Sequence, residues 1–289
     1  DVASYYPYLI IDGQYYPKHL TREFLTIYES IVNRRIEAKR NKDTVTADSL
    51  KITVNGSFGK FGSKYSFLYS PDLLINTTIT GQLTLLMLIE MITTAGGNVK
   101  SANTDGIVIL CKRHNVQAIR DTVRLFELNT IFSMEYTEYR ALYSINVNNY
   151  LAVKPDGKVK GKGQFASNSL AKNPTNAICV QAAIAYLTKQ TPIKETILQC
   201  QDIRQFITLR TVQGGATKDG VNIGKSIRWY HSTSTHSAIH YAKNNNKVPK
   251  SDGAMPLLNY PDSLPPDIDY QFYIQEAKNI IRSAGVHHA

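Results

Sequence analysis

Cysteine, acidic residues and long apolar runs are all scarce in this chain of 289 residues. Its three cysteines (Cys111, Cys179 and Cys200) stand far apart and form neither a CxxC pair nor a Cys/His cluster. This spacing excludes a disulfide scaffold and a cysteine-based zinc site. The most apolar stretch, residues 83–92, is interrupted by polar residues and is too short to cross a bilayer. With no signal peptide recognised, we expect a cytoplasmic protein without a membrane partner.

The shortage of acidic residues leaves a strongly basic chain. Lys and Arg number 33 against 23 Asp and Glu, which gives a net charge of +10 and a pI near 9.3. This balance favours a polyanionic partner, such as nucleic acid, a nucleotide or an anionic surface. The 43% of hydrophobic residues can form a core, so a disordered chain is excluded.

Hydrophobic spacing and turn residues predict the elements of the first half. Residues 1–11 are predicted as a strand that ends at an Asp-Gly turn. Two helices follow as an antiparallel hairpin with a basic inner side; Thr21 caps the first and Gly59 ends the second. We also predict a third helix from Pro71-Asp72 to Gly96-Gly97, a β-hairpin of strands 99–103 and 107–110, and a helix over 115–128.

The second half is predicted to be mainly helical. Residues 134–153 have a strand pattern, 177–189 and 193–212 a helical one, and the glycine-rich stretch 213–224 is predicted as a loop. A strand over 223–230, an irregular segment over 249–266 and a final helix over 267–284 complete the chain. The order predicts an α+β domain followed by a smaller helical domain.

Two aspartates lie in apolar surroundings that make a carboxylate costly unless it is paired or binds metal. Asp1 begins an apolar segment, and Asp105 stands at the tip of the predicted hairpin. Carboxylates on adjacent strands could hold two Mg²⁺ ions and so promote phosphoryl transfer. The alternative is that Asp105 is only the first residue of an Asp-Gly turn, and this motif alone favours that alternative.

The helix hairpin carries a second set of polar candidates. Arg35 and Lys39 share one helical face, and Lys51, Asn55 and Phe58 follow helical spacing on the next helix. Cations that converge from two elements suit a triphosphate, and an aromatic with an Asn suits a base and sugar. A solvated basic face and a core stripe are the alternative.

These residues carry a resemblance to the family B DNA polymerases. Residues 1–7, DVASYYP, resemble motif A (DxxSLYP); residues 51–59, KITVNGSFG, resemble motif B (KxxxNSxYG); residues 102–106, ANTDG, resemble motif C (YxDTDS). Their order is that of the family, and Arg35 with Lys39 matches its RxxxK element. Tyr150 with KVKGKG at 158–163 resembles the segment that grips primer–template, and stretches 227–230 and 248–256 resemble phage members. Three motifs in order make the resemblance specific.

The resemblance implies an α+β fold with a polymerase palm (an antiparallel sheet with packed helices), two-helix fingers and a small, mostly helical thumb. The palm would comprise residues 1–20 and 63–165, the fingers 21–62, and the thumb with the C-terminal region 166–289. The implied reaction is template-directed addition of deoxynucleotides to a primer 3′-hydroxyl in phage DNA replication, in the host cytoplasm. The implied partners are primer–template DNA and dNTPs. An upstream exonuclease domain or a protein primer would lie outside this chain.

The resemblance also assigns roles by position. Asp1 and Asp105 would be catalytic and would hold two Mg²⁺ ions, or Mn²⁺. The nucleotide would contact Tyr5 through nearby backbone amides, Tyr6 as the steric gate against a ribose 2′-hydroxyl, and Arg35, Lys39, Lys51, Asn55 and Phe58. DNA would contact Thr104, Tyr150, Lys158, Lys160 and Lys162.

The chain departs from the family pattern at several positions. Tyr5 replaces Leu in motif A, and Gly56 and Phe58 replace Ser and Tyr in motif B. Asn103 stands where motif C has its first Asp, Gly106 where it has Ser, and Asn148 where a downstream Lys is usual. Because both metal-binding positions are kept, we expect an active polymerase. A non-catalytic primer–template-binding fragment of a decayed or split polymerase is the alternative, and a basic RNA-binding α+β protein is a weaker one.

Overall fold

A computed structural model describes residues 1–166 and 174–286 of the chain. The chain forms two compact units, Asp1–Thr137 and Glu138–Ala289. Both units contain helices and antiparallel sheet, so the predicted α+β class is confirmed. The boundary between the units lies inside the 63–165 segment that the sequence assigns to the palm.

The first unit contains five helices and one β-hairpin in its described residues. In chain order these are α1 Tyr5–Asp12, α2 Glu23–Arg40, α3 Thr44–Phe61, α4 Pro71–Thr94, β1 Asn98–Asn103, β2 Gly106–Leu110 and α5 Val116–Asn129. The helix hairpin, the long third helix, the β-hairpin and the helix after it are therefore confirmed.

The prediction of a strand over residues 1–11 is wrong. Only Val2 makes a bridge, with Met134, and the chain becomes helical at Tyr5 after Ser4 adopts a left-handed conformation with φ of 50°. Pro7 explains the difference, because it lacks the N–H that a paired strand needs but lies in the first turn of α1, where no intrahelical acceptor exists. The apolar run is a buried helix, with Leu9 and Ile10 in the core.

The hairpin of α2 and α3 packs around a small core shared with α1 and α4. Asp43 caps α3 by accepting a hydrogen bond from the Thr46 amide at 3.0 Å. Helix α2 begins at Glu23, so Arg22 and not the predicted Thr21 occupies its N-cap position. The buried members of this core are Ile10, Leu25, Tyr28, Val32, Val54, Phe61 and Leu73. This shared core fixes the orientation of the basic face of α2 and of α3, the helix whose residues resemble motif B.

One face of helix α4 packs in the core, and its other face is exposed to solvent. Its buried residues include Leu85, Leu88 and Ile92, which pack with α1, α5 and the hairpin. It is also the one helix, within the described residues, that is long and apolar enough to cross a membrane; the window has a mean hydropathy of 1.4 and is 28% buried. The prediction that the apolar stretch is too short to cross a bilayer considered residues 83–92 alone. It is wrong about the length, because the apolar helix runs from Pro71 to Thr94.

In its described residues, the second unit combines three α-helices with two antiparallel sheets. The elements are β3 Ala141–Asn146, β4 Asn149–Val153, β5 Val159–Lys162, α6 Ala177–Lys189, α7 Ile193–Gln199, β6 Thr208–Lys218, β7 Val221–His231, β8 Ile239–Tyr241, β9 Ala254–Pro256 and α8 Tyr270–Ser283. The sheets have the strand orders β3-β4-β5 and β8-β6-β7-β9.

The four-stranded sheet overturns the predicted helix over 193–212 and the predicted loop over 213–224. Helix α7 stops at Gln199, and β6 pairs with β7 from Thr208 opposite Trp229 to Lys218 opposite Val221. The pairing is irregular between Thr211 and Ala216, where Gly214 and Gly215 both have φ of 88°. Glycines that suggested a loop thus allow a bulge in a long ribbon. The expectation of a mainly helical second domain is wrong for the same reason.

Candidate active site

Residues 1–3 form a short extended segment between two parts of the first unit. On one side Asp1 exchanges main-chain hydrogen bonds with Glu135, both at 2.8 Å, and the Ala3 amide donates to the Ser133 carbonyl at 2.9 Å. On the other side the Val2 amide donates to the Asp105 carbonyl at 2.6 Å. The segment that resembles motif A is therefore bonded directly to the hairpin tip that resembles motif C.

The Asp1 carboxylate lies against the residue that follows Asp105. A Cβ atom at Gly106 would overlap Oδ1 of Asp1, so glycine at this position permits the close approach of the two chain segments. Both aspartates are exposed, so the prediction that their carboxylates lie in apolar surroundings is wrong, because they stand at a chain segment and a hairpin tip that face solvent. Within the described residues, no group of three or more His, Cys, Asp and Glu side chains could hold a metal ion. Two oxygen ligands nevertheless suit Mg²⁺, which proteins commonly bind through one or two carboxylates together with substrate phosphates.

Tyr6 connects the hairpin tip to the motif B helix. Its ring stacks on Phe58 of α3, with centroids 4.3 Å apart and planes 16° from parallel. Burial raises the pKa of the Tyr6 phenol, and the Asp105 carboxylate raises it further. The phenol therefore stands within electrostatic reach of Asp105 while its ring is held by Phe58.

The RxxxK residues of α2 reach the same place. Arg35 donates to Ser4 Oγ at 2.9 Å, directly before the first turn of α1. Lys39 forms an ion pair with Glu135 at 2.5 Å, and this contact is the main cause that lowers the pKa of Glu135. The first amides of α1 have no intrahelical acceptors, so Arg35 and the helix start together make a cationic surface beside Asp1.

Tyr5 itself faces away from this surface. Its side chain is buried in the core, its hydroxyl donates to the Gly81 carbonyl at 2.5 Å, and burial raises its pKa to about 12. Only its main chain is available at the start of α1, which matches the expectation that the amides near Tyr5 matter rather than its ring.

Lys51 and Asn55 are not joined to the cluster. Both are exposed on α3, on the same helical face as Phe58; Lys51 lies about two turns and Asn55 about one turn nearer the start of the helix. Within the described residues, neither side chain takes part in the contacts that join Asp1, Tyr6, Arg35 and Lys39. Thr104 is exposed at the hairpin tip with φ of 52°, and its hydroxyl donates to Asn103 Oδ1 at 3.0 Å.

The remaining DNA-binding candidates belong to the second unit. Tyr150 of β4 lies opposite Lys162 of β5, and Lys160 lies two residues earlier, so all three share one face of the sheet. A Cβ at Gly161 would overlap the Phe165 carbonyl oxygen, which explains the glycine between Lys160 and Lys162. Lys158 instead pairs with Asp156 at 3.2 Å in the preceding turn.

The sequence motifs did not identify Glu135, and they did not predict the contact of Ser4 with Arg35. Glu135 belongs to a tyrosine-rich stretch with a strand pattern, and no motif singled it out. Ser4 stands inside the motif A segment, but its contact with Arg35 depends on the left-handed backbone that precedes α1.

Comparison with known proteins identifies a similar fold. No protein-family model and no curated protein matches the chain in sequence. Among solved structures, it is similar to the family B DNA polymerase from the hyperthermophilic archaeon Pyrobaculum calidifontis, with a TM-score of 0.53 and 14% identity. The similarity covers 96% of this chain and 43% of that polymerase. The chain thus has a fold like that of a family B DNA polymerase and spans less than half the length of that protein.

Proposed function

We propose that this chain is the polymerising part of a family B type DNA polymerase. It would transfer a deoxynucleoside monophosphate from a dNTP to a primer 3′-hydroxyl, directed by a template strand, with release of pyrophosphate. One observation carries the proposal: the motif A segment, the motif C tip, Tyr6 and the RxxxK residues meet at one place on a polymerase-like fold.

Asp1 and Asp105 are the residues that would hold Mg²⁺, or Mn²⁺, in this proposal. Two such ions, when bound, activate the attacking hydroxyl and neutralise charge on the leaving phosphate. Arg35 and Lys39, with the first amides of α1, would hold the triphosphate; Lys39 would exchange its Glu135 contact for a phosphate oxygen. Lys51 would meet the triphosphate from α3.

Tyr6 would lie under the sugar and exclude a 2′-hydroxyl, with its ring fixed by Phe58. Asn55 and Phe58 would line the new base pair. Thr104, Tyr150, Lys158, Lys160 and Lys162 would contact the primer–template duplex. The net charge of +10 supports such a partner and predicts binding that weakens steeply with salt.

The biological setting belongs to the proposal as well. The stretches 227–230 and 248–256, which resemble phage members, favour genome replication of a phage in the host cytoplasm. The palm, fingers and thumb would follow the predicted segments, apart from the sheet found in the second unit.

A non-catalytic primer–template-binding module is the second candidate. Asn103 favours it, because it replaces a carboxylate of motif C by an amide one residue before the hairpin turn. This candidate keeps the basic surface but requires no nucleotide incorporation.

Primer extension at low salt tests the two candidates. We expect the chain to incorporate dNMP with Mg²⁺, and Asp105→Asn to lose at least about 100-fold of this activity, the effect typical of removing a key electrostatic group. Asp121→Asn, on the exposed face of α5, is the matched control and should remain active. Duplex affinity, measured by fluorescence anisotropy, should be equal in all three proteins. Binding without incorporation by the unmodified chain would support the module instead.

A further inference from the structure

We propose that residues 62–70, here called the aromatic loop, bind single-stranded nucleic acid by stacking unpaired bases on exposed rings. The inference rests on the proposed function, in which an unpaired template strand must lead to the site. The loop joins α3, which carries Phe58, to α4. None of the sequence motifs includes it.

The loop exposes three aromatic rings in alternation. Tyr65 is 89% exposed, Phe67 77% and Tyr69 42%, whereas Ser66, Leu68 and Ser70 between and after them are partly or fully buried. Leu68 packs against the core of the helix hairpin. Large rings that remain in solvent while a smaller apolar residue between them is partly buried need a functional explanation.

The loop that exposes these rings is stabilised by hydrogen bonds within itself and to the end of α3. The Ser70 amide donates to the Phe61 carbonyl at 2.9 Å and closes the loop, and the Ser66 and Tyr69 amides donate to carbonyls three residues earlier. His19 contacts the Phe67 carbonyl through Nε2 at 2.7 Å, and its ring meets that of Phe67 edge to face. A loop fixed in this way presents its rings at little further ordering cost on binding.

The charge of the segment fits a polyanion. No Asp or Glu occurs between Asp48 and Asp72, whereas Lys51, Lys60 and Lys64 lie in that interval. The Lys64 ammonium lies over the Tyr65 ring, 5.2 Å from its centre. A base would therefore stack on the opposite face of this ring, with the cation near enough to neutralise a phosphate. Lys18 adds little, because it is paired with Asp72 at 3.3 Å.

The open face of α4 differs in kind from this loop. Its exposed apolar residues, among them Ile75, Ile79 and Leu83, are aliphatic, and the helix contains neither aromatic residues nor cations. The aromatic loop combines rings, lysines and serine hydroxyls, so it suits bases and phosphates better than a lipid or an aliphatic protein surface. A substitution on this face of α4 therefore serves as a control for the loss of exposed apolar area.

Affinity for a labelled dT oligonucleotide, measured by anisotropy at 50 mM salt, tests the loop. We expect Tyr65→Ala and Phe67→Ala each to weaken binding about 5-fold or more, the effect of losing one base stack. Tyr65→Trp should retain affinity, and Lys64→Gln should lower the salt slope by about 0.7. Leu83→Ala, which removes a comparable exposed side chain from α4, should bind as the unmodified chain does. Equal affinities across the loop variants would overturn the proposal.

Two further readouts separate this inference from the proposed function. An oligonucleotide that carries 5-iododeoxyuridine should crosslink to Tyr65 or Phe67, and Asp105→Asn should crosslink equally well. Crosslinking without any incorporation would overturn the polymerase proposal and leave the single-strand site standing. Incorporation together with crosslinks elsewhere would overturn the site and leave the polymerase. Preferential binding of anionic vesicles to the loop would likewise overturn it.

Discussion

Replacement of Phe58 by alanine should disturb the position of the neighbouring Tyr6 ring. The two rings stack at 4.3 Å across the junction of α1 and α3, and Tyr6 is only half-buried. Phe58 is thus the main planar support of the phenol. If Tyr6 is the steric gate, Phe58→Ala should let its ring leave the sugar position and admit ribonucleotides.

The size of the coupling follows from the geometry. An aromatic pair of this kind contributes about 0.5–1.5 kcal/mol beyond the area it buries, which corresponds to roughly a 2- to 13-fold change in an equilibrium. Since both rings are partly exposed, we expect about 1 kcal/mol. Tyr6→Ala and Phe58→Ala should therefore cost less together than the sum of their separate effects.

The assay has two parts. Urea unfolding of the unmodified chain, the two single variants and the double variant gives the coupling free energy. Incorporation of rNMP relative to dNMP should rise in Phe58→Ala in the same direction as in Tyr6→Ala, but less. Phe58→Tyr keeps the ring and serves as the control, with unmodified selectivity. A coupling below about 0.2 kcal/mol, or unchanged sugar selectivity in Phe58→Ala, would refute the positioning role of Phe58.

Three other predictions concern stability. Tyr5→Phe should lower the free energy of unfolding by about 1 kcal/mol, because it removes a buried hydrogen bond to the Gly81 carbonyl; no change in urea denaturation would count against that bond. Lys39→Met and Glu135→Gln should couple by less than 1 kcal/mol, and less at 1 M salt, because both side chains are more than half exposed; a cycle value above 2 kcal/mol would contradict this. Burial among Phe272 and Tyr273 lowers the pKa of His231, although Asp252, Asp269 and Glu276 oppose the shift. The unfolded chain therefore takes up this proton first, so the stability of the second unit should fall as pH drops from about 6.5 towards the lowered value, by about 1.4 kcal/mol for each unit between the two pKa values. His231→Phe should flatten the pH dependence in that window, and an unchanged slope would exclude His231 as its source.

The sequence predicts best where local chemistry and tertiary packing agree. The β-hairpin forms where the Asp-Gly pair predicts it, but its turn is Thr104-Asp105 and Gly106 is already the first residue of β2. Pro71 starts α4 as expected. The errors arise where short apolar or glycine-rich stretches suit two structures. Residues 5–11 are apolar throughout, so their periodicity cannot distinguish a buried helix from a strand, and Gly214 with Gly215 is as compatible with a bulge as with a loop.

The candidate site could likewise be predicted from the sequence only in part. Its motif residues could be found from the sequence because their order along the chain is informative. Glu135 could not, because its contact with Lys39 joins residues 96 apart in sequence and depends on the tertiary fold. The Arg35–Ser4 contact likewise depends on one left-handed residue that no motif specifies.

The position of residues 1–3 also has a consequence for how the first unit folds. Val2 is bonded to Asp105, and Asp1 to a residue 134 positions away, so the site closes through some of the longest loops that the unit contains. Such contacts return free energy only after most of the chain entropy has been lost, and they slow folding. During synthesis, the main chain of Asp1 can pair with Glu135 only after that residue has left the ribosome. This pairing is therefore a late event, and a kinetic probe at Asp1 would report the completion of this unit rather than its beginning.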